Sequence, residues 1–370
     1  MSGPYPVFSR RTLLSASGYS AAGLMLAGGT TARADAASAS AVRLSLNENA
    51  YGPSPSVLNA ITRASSNLHR YVEQEEVDAL AAQIAVLEGI RPEQVVLGEL
   101  LEALGLFLAR QRPGGGGIVH SVPGYTALVD SAAPLGGRSI PVPLDAKGSN
   151  DLPALTRAID RRTLALSLIN PHNPTGTVDE REALDSFILA ASARTLVVVD
   201  EAYLEYDDLA GRSAVRLVRQ GANVLVFRTL AKVYGLAGLP MGYALTTPAL
   251  AAGLRAAGIG AAHSLSRLAL AATSAALRDQ AHVARIRAAN ATERARLTSE
   301  LDRRGYLHTD SRANFVFFRP KQPADSVRAA FASAGITVGR AFPPLGDWVR
   351  VTVGTRAEND RVIHVLSALL

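Results

Sequence analysis

The 370-residue chain contains no cysteine, and aromatic residues make up only 5% of it. The missing cysteine excludes disulfides, thiolate nucleophiles and Cys-ligated metals. Lysine is nearly absent as well: Lys147, Lys232 and Lys321 are the only three, and the remaining strong bases are arginines. The formal charge of +6 is scattered, with no basic run or aromatic-interleaved patch of the kind nucleic acid requires. Gly-x-Ser-x-Gly, His-Glu-x-x-His and a phosphate loop ending in Gly-Lys-Ser/Thr are all missing from the chain after its N-terminal segment. There is no fixed-period repeat and no apolar stretch long enough to span a membrane.

The first 34 residues read as an address. Ser9-Arg10-Arg11-Thr12-Leu13-Leu14 matches the twin-arginine pattern, and a mildly apolar Gly/Ala-rich stretch follows to Gly29. Ala32-Arg33-Ala34 fits the small-x-small cleavage rule, predicting a mature start at Asp35. The expectation is export to the periplasm or outside the cell by the twin-arginine translocase, which carries folded proteins. Three of the arginines lie before Asp35, so the mature chain is close to neutral.

Beyond that segment, apolar runs alternate with amphipathic ones. Helical spacing is predicted for Ser54 to Ala64, Val77 to Leu87, Glu99 to Ala109, the Ala/Arg-rich stretch Ser264 to Leu301, and a closing helix from Glu358. Strands are predicted at Gln94–Leu97, Ile118–Val119, Leu164–Ile169, Leu196–Val199, Val224–Phe227, Phe315–Phe318 and Trp348–Val353. Gly114 to Gly117 reads as a flexible turn. Continuous apolar strands interleaved with helices indicate an α/β fold with a largely parallel sheet. The expected organisation is an N-terminal arm over 35–60 that joins a small α+β domain at 248–370, with a large domain at 61–247.

Three successive apolar strands each deliver a polar cluster at their C-terminal end, where open α/β sheets hold ligands. They are Asn170-Pro171-His172-Asn173-Pro174-Thr175-Gly176, then Asp200-Glu201-Ala202-Tyr203, then Arg228-Thr229-Leu230-Ala231-Lys232-Val233-Tyr234-Gly235-Leu236-Ala237-Gly238. Singly, each has a bland reading: a turn, a helix cap, a solvated lysine. Together, in this order, they are specific.

The combination resembles the fold type I, class I/II aminotransferases, and is most similar to their histidinol-phosphate aminotransferase-like branch. The resemblance runs from Leu46-Asn47-Glu48-Asn49-Ala50-Tyr51-Gly52-Pro53 to Arg350-Val351-Thr352-Val353-Gly354-Thr355. It implies a large domain with a mostly parallel seven-stranded sheet between helices, and a pyridoxal 5′-phosphate cofactor. Lys232 would form the Schiff base and then move the substrate α-proton. Asp200 would pair with the pyridine nitrogen, while Asn173 and Tyr203 would hydrogen-bond the phenolic oxygen. Tyr125 would stack on the ring and Thr229 would donate to the phosphate. Tyr71 would reach the phosphate of a neighbouring subunit, which implies a homodimer. Arg350 would clamp the substrate carboxylate, its bland alternative being a surface arginine on an edge strand. Asn314 would lie near that carboxylate or serve only as a turn residue. Tyr51 reads as a substrate-side tyrosine or a core aromatic, and His172 as non-catalytic.

Two departures fall at the phosphate end. The usual small and hydroxyl residues that open a helix there are replaced by Gly98-Glu99-Leu100-Leu101-Glu102, so two carboxylates stand where an anion should dock, and the cofactor phosphate would be left to the backbone N–H groups of Gly98, Glu99 and Leu100. Pro240 occupies the place of an arginine eight residues after the lysine, and a proline donates nothing. Arg228 is the candidate replacement. At the substrate end, Arg340 is the single arginine of Gly335 to Pro344, where the biosynthetic enzymes carry more.

The leading expectation is an exported transaminase acting between an amino acid and a 2-oxo acid. The same fold also hosts lyases, decarboxylases, racemases and oxidative deaminases. A non-catalytic binding protein is the reading from a different class, which retention of Lys232, Asp200, Asn173 and Tyr203 together opposes.

Overall fold

The computed structural model describes residues 41–112 and 115–369. The twin-arginine stretch, the cleavage motif and Gly114 lie outside the described residues. Twelve strands are described: β1 (Val42–Leu44), β2 (Val95–Leu97), β3 (Gly116–Val122), β4 (Gly137–Pro143), β5 (Thr163–Ile169), β6 (Leu196–Asp200), β7 (Val224–Thr229), β8 (Gly242–Leu245), β9 (Leu307–His308), β10 (Phe315–Arg319), β11 (Ile336–Val338) and β12 (Val349–Thr352). The helices are α1 (Pro55–Ser65), α2 (Gln74–Glu88), α3 (Leu101–Arg110), α4 (Ala127–Ala132), α5 (Leu152–Ala158), α6 (Arg181–Ser192), α7 (Leu209–Arg212), α8 (Val215–Arg219), α9 (Pro248–Ala256), α10 (Arg267–Arg278), α11 (Gln280–Arg303), α12 (Ala324–Ser333) and α13 (Arg356–Ala368).

Seven strands form one sheet in the order β2-β8-β7-β6-β5-β3-β4. All pairings from β4 to β7 are parallel, and β8 runs antiparallel to both of its neighbours. Alternation along the strands divides the core in two. Val197, Val199, Val224 and Val226 face one apolar layer with Leu80 and Ile84 of α2, Leu184 and Ile188 of α6 and Leu217 of α8. Val198, Leu225 and Phe227 face another with Leu101, Leu104 and Leu108 of α3 and Leu254 of α9. This two-sided cover explains why these strands read as unbroken apolar runs.

A second core lies around the antiparallel strands β12-β10-β9. The N-terminal arm enters it through β1, which pairs in parallel with β11. On β10 and β12, Phe317 pairs with Arg350 and Phe315 with Thr352, so these four side chains share one face. Val316, Phe318, Val349 and Val351 turn the other way into the core.

Some expected boundaries change. The predicted helix over Ser264 to Leu301 is two helices. Asp279 leaves helical geometry at φ −93, ψ 60, and its carboxylate accepts from the His282 N–H, capping α11. Gly116 and Gly117 belong to β3 rather than to a turn. β1, β4, β8, β9 and β11 are not among the predicted strands: β1 and β11 have three residues, β8 four and β9 two, too short to register as a periodic run.

Candidate active site

The C-terminal ends of β5, β6 and β7 sit side by side, and the three polar clusters meet there. β6 ends at Asp200, which is buried. Its Oδ1 accepts from the Ala202 N–H at 3.0 Å. Burial pushes its carboxyl up to about 6, against the opposing pull of that N–H and of Lys232. Lys232 lies on the loop after β7, its Nζ 3.2 Å from the Leu46 carbonyl and 5.6 Å from the centre of the Tyr203 ring. The loop's tight return rests on Gly235 at φ +73, where an added Cβ would fall 2.5 Å from the Gly52 carbonyl carbon. Arm and lysine loop therefore fit together only with glycine at that position.

Tyr203 is buried, packed edge-on against Phe315 with ring centres 5.3 Å apart. Its hydroxyl accepts from Asn47 Nδ2 at 3.0 Å and from Asn173 Nδ2 at 3.5 Å. The other end of the Asn173 amide accepts from Arg350 Nη1. Arg350 also donates to the Ser45 carbonyl at 2.7 Å, and its buried Nε has no partner. Its guanidinium lies 4.8 Å from the Phe342 ring centre, on which Arg340 also rests at 4.6 Å. Burial pushes Arg350 down to about 10, which leaves it charged at neutral pH. A cation with an unspent donor, joined through Asn173 to the Tyr203 hydroxyl, suits a small carboxylate.

The other expected residues distribute unevenly. Tyr125 follows β3, half exposed; burial first, then Glu102 and Asp200, push its hydroxyl up to about 12. Thr229 ends β7 buried, with its hydroxyl accepting from the Ala231 N–H at 3.1 Å. Gly98, at φ +129, donates to the Gly242 carbonyl at 3.0 Å, and Leu100 is buried. Burial and Glu102 raise Glu99, while Lys232 lowers it, so this carboxylate lies within the lysine's field. Tyr71 is 83% exposed, and only its carbonyl is engaged, by Arg267. His172 is buried, and burial pushes it down to about 3, so it is neutral.

Three expectations need correcting. Arg228 does not turn toward the site. It is adjacent to Thr229 on β7 and so projects from the opposite face. There its Nη1 donates to Glu88 at 2.9 Å, Nε to Glu201 at 3.0 Å and Nη2 to Ser213 at 2.8 Å, all buried or partly so. Asn314 is more than a turn residue: in the bend before β10 it spends its amide on the arm, donating to the carbonyls of Asn47 at 3.0 Å and Glu48 at 3.2 Å. Tyr51 is exposed rather than core, and its phenol is raised by partial burial and then by Glu293 and Glu358 rather than by groups of the site.

Asn47 is the site residue that sequence reasoning missed. Fully buried at φ 56, it holds Tyr203 from above while its own N–H donates to Thr352 Oγ1 at 3.0 Å. Asparagine tolerates that left-handed backbone better than other non-glycine residues. Its position in the stretch Leu46 to Pro53 was the available signal.

Residues 39–366 match the family described as aminotransferase class I and II. The chain belongs to this family. Among curated relatives, a histidinol-phosphate aminotransferase of Moorella thermoacetica is 33% identical over 338 residues, covering 89% of this chain and 85% of that one. An aromatic amino acid aminotransferase of Rhodococcus jostii is 35% identical over 325 residues, covering 86% and 88%. The crystal structure of histidinol-phosphate aminotransferase from Sinorhizobium meliloti in complex with pyridoxal-5′-phosphate superimposes with a TM-score of 0.80 at 30% identity, covering 89% and 92%. Against this aminotransferase background, the α/β architecture and its mostly parallel seven-stranded sheet are the fold expected from the sequence.

Proposed function

We propose that this chain is a pyridoxal 5′-phosphate-dependent transaminase moving an amino group between an amino acid and a 2-oxo acid. The observation that carries the reading is the juxtaposition of Lys232 with buried Asp200 and Tyr203 and half-buried Asn173 at three neighbouring strand ends. These residues fit the cofactor's ring. A carboxyl held at about 6 mainly by burial gains most from a cationic partner, and a protonated pyridine nitrogen is one. The Tyr203 hydroxyl and the Asn173 amide suit a phenolic oxygen. Tyr125 offers a ring face and Thr229 a hydroxyl.

The cofactor, when bound, supplies an electron sink for charge developing at the substrate α-carbon. The chain's own residues do the rest. Arg350 receives the α-carboxylate through its free Nε and its Nη groups and so orients the α-carbon. Lys232 Nζ takes the proton from that carbon and returns it elsewhere. Asp200, ionised, would hold the cofactor's ring nitrogen in its protonated form. Asn47 and Asn173 fix the Tyr203 hydroxyl from two directions.

Borohydride treatment of the purified protein followed by peptide mass spectrometry tests the cofactor assignment: a pyridoxyl mass on Lys232 is expected, and its absence removes the reading. A screen of amino donors, with and without a 2-oxo acid, tests the reaction. Turnover that releases ammonia without an acceptor would instead favour elimination or oxidation.

The reading includes two further parts. A homodimer is supported by the exposure of Tyr71, which the resemblance places at a neighbouring subunit's phosphate; equilibrium sedimentation of the full chain reads it directly. Export is supported by Arg10-Arg11 with Ala32-Arg33-Ala34 downstream. Residues 1–40 fused to a reporter should carry it out of the cytoplasm, and a double lysine substitution at Arg10 and Arg11 should retain it.

A further inference from the structure

A pyridoxal ring carries its phenolic oxygen and its phosphomethyl arm on opposite sides of the line joining the ring nitrogen to the aldehyde carbon. In this site, Asp200 and Lys232 define that line, and Tyr203 with Asn173 takes the side of β5. The sheet order β2-β8-β7-β6-β5 then directs the arm toward β7 and β2. What the subunit itself offers there, apart from a Tyr71 hydroxyl reaching in from a second copy on the homodimer reading, is the Thr229 hydroxyl and the turn Gly98-Glu99-Leu100 that opens α3. Thr229 lies on the α3 side of the sheet, since Leu225 and Phe227, which share its face of β7, pack with Leu101 and Leu104.

That turn is unsuited to a dianion. Glu99 and Glu102 stand at the start of α3, where carboxylates already offset the positive end of the helix dipole. Both push the Tyr125 hydroxyl up, and Lys232 draws Glu99 down. Nearby cations are committed elsewhere or missing. The segment Val233 to Pro240 contains no lysine or arginine. Arg228 is locked to Glu88 and Glu201 across the sheet. Arg267, two residues beyond the Leu265 that packs beside Gly98, pairs with Glu76 and the Tyr71 carbonyl.

We propose that Glu99 is a specificity-determining residue at the cofactor's anionic arm, so that this site accepts the unphosphorylated vitamer on terms close to those of its phosphate ester. This rests on the reading of the site as a pyridoxal site. The chain would then draw on pyridoxal or pyridoxamine as well as on the esters.

The amine forms isolate the arm, because pyridoxamine and pyridoxamine 5′-phosphate cannot bond covalently to Lys232. Calorimetric titration of the cofactor-stripped full chain with each gives a ratio of dissociation constants. In the wild type, the phosphate should tighten binding by less than about thirtyfold, and Glu99→Gln should raise that ratio at least about fivefold, roughly the size of one like-charge contact near a partly buried site. Glu102→Gln should act in the same direction and less. A wild-type ratio above that limit, or one that Glu99→Gln leaves unmoved, overturns the proposal while leaving the cofactor assignment standing. Binding of neither amine overturns both.

Discussion

The guanidinium of Arg350 donates to the side-chain carbonyl of Asn173, joining a residue of β12 to one on the loop after β5. The amide nitrogen of the same asparagine reaches the Tyr203 hydroxyl at 3.5 Å. One side chain thus couples the group proposed to receive the substrate carboxylate to the group proposed to face the cofactor's ring oxygen. Asn173→Ala should therefore raise KM for the amino acid about tenfold and also shift the absorption maximum of the bound cofactor. Arg350→Lys, which loses the fork but keeps the charge, should raise KM about a hundredfold and leave that spectrum in place. Steady-state kinetics with parallel spectra separate the two, and an unchanged spectrum in Asn173→Ala would remove the coupling.

Asp200 makes cofactor binding pH-dependent. With its carboxyl pushed up to about 6 by burial, it is largely protonated below that pH and cannot stabilise a cationic ring nitrogen. Affinity should strengthen as pH rises from about 5 to 7, by about tenfold for a unit of linkage. Asp200→Asn should flatten this dependence and cost kcat on the order of a thousandfold. Titrations across pH, followed by fluorescence, read the first effect.

Glu205 is buried with neither carboxylate oxygen bonded, and burial pushes it up to about 7. A folded value above the unfolded one means the fold holds the proton more tightly. Its contribution to stability is complete below the unfolded value, near 4.5, and is lost as pH rises through about 7. Glu205→Gln should raise the melting temperature at pH 8 and reduce the loss of stability between pH 5 and 8. Thermal denaturation at both ends of that range provides the test, and a variant with the wild-type pH slope would contradict it.

Arg228 is a fold residue. Removing it by Arg228→Ala leaves Glu88 and Glu201 buried without their cation, at a cost of about 3–5 kcal/mol. Urea denaturation should show that loss. The dissociation constants of phosphorylated and free vitamers, measured in whatever fraction remains folded, should keep their wild-type ratio.

Much of this site is legible from residue order alone, because Asn173, Asp200, Tyr203, Thr229 and Lys232 follow apolar strands whose C-terminal ends a parallel sheet must align. The sheet's β5, β6 and β7 are readable for the same reason: they are long and buried on both faces. What stays hidden depends on distant pairing. Asn47 reaches Tyr203 across 156 positions and Thr352 across 305, and no local pattern reports either contact. Arg228 misleads for a related reason. Adjacent in sequence to Thr229, it belongs to the other side of the sheet, a distinction that motif reading ignores and strand alternation enforces. β8 and β11 escape because three or four residues carry too little periodicity to stand out.

The cage around Arg228 also bears on how the sheet assembles. Were β7 to pair with β6 one residue out of register, the guanidinium would land in the cleft and Thr229 would be driven among Glu88, Glu201 and Ser213. Two carboxylates would then be sealed in an apolar layer without their cation. The ion pairs thus favour the native strand alignment energetically over the slip that would misplace Lys232.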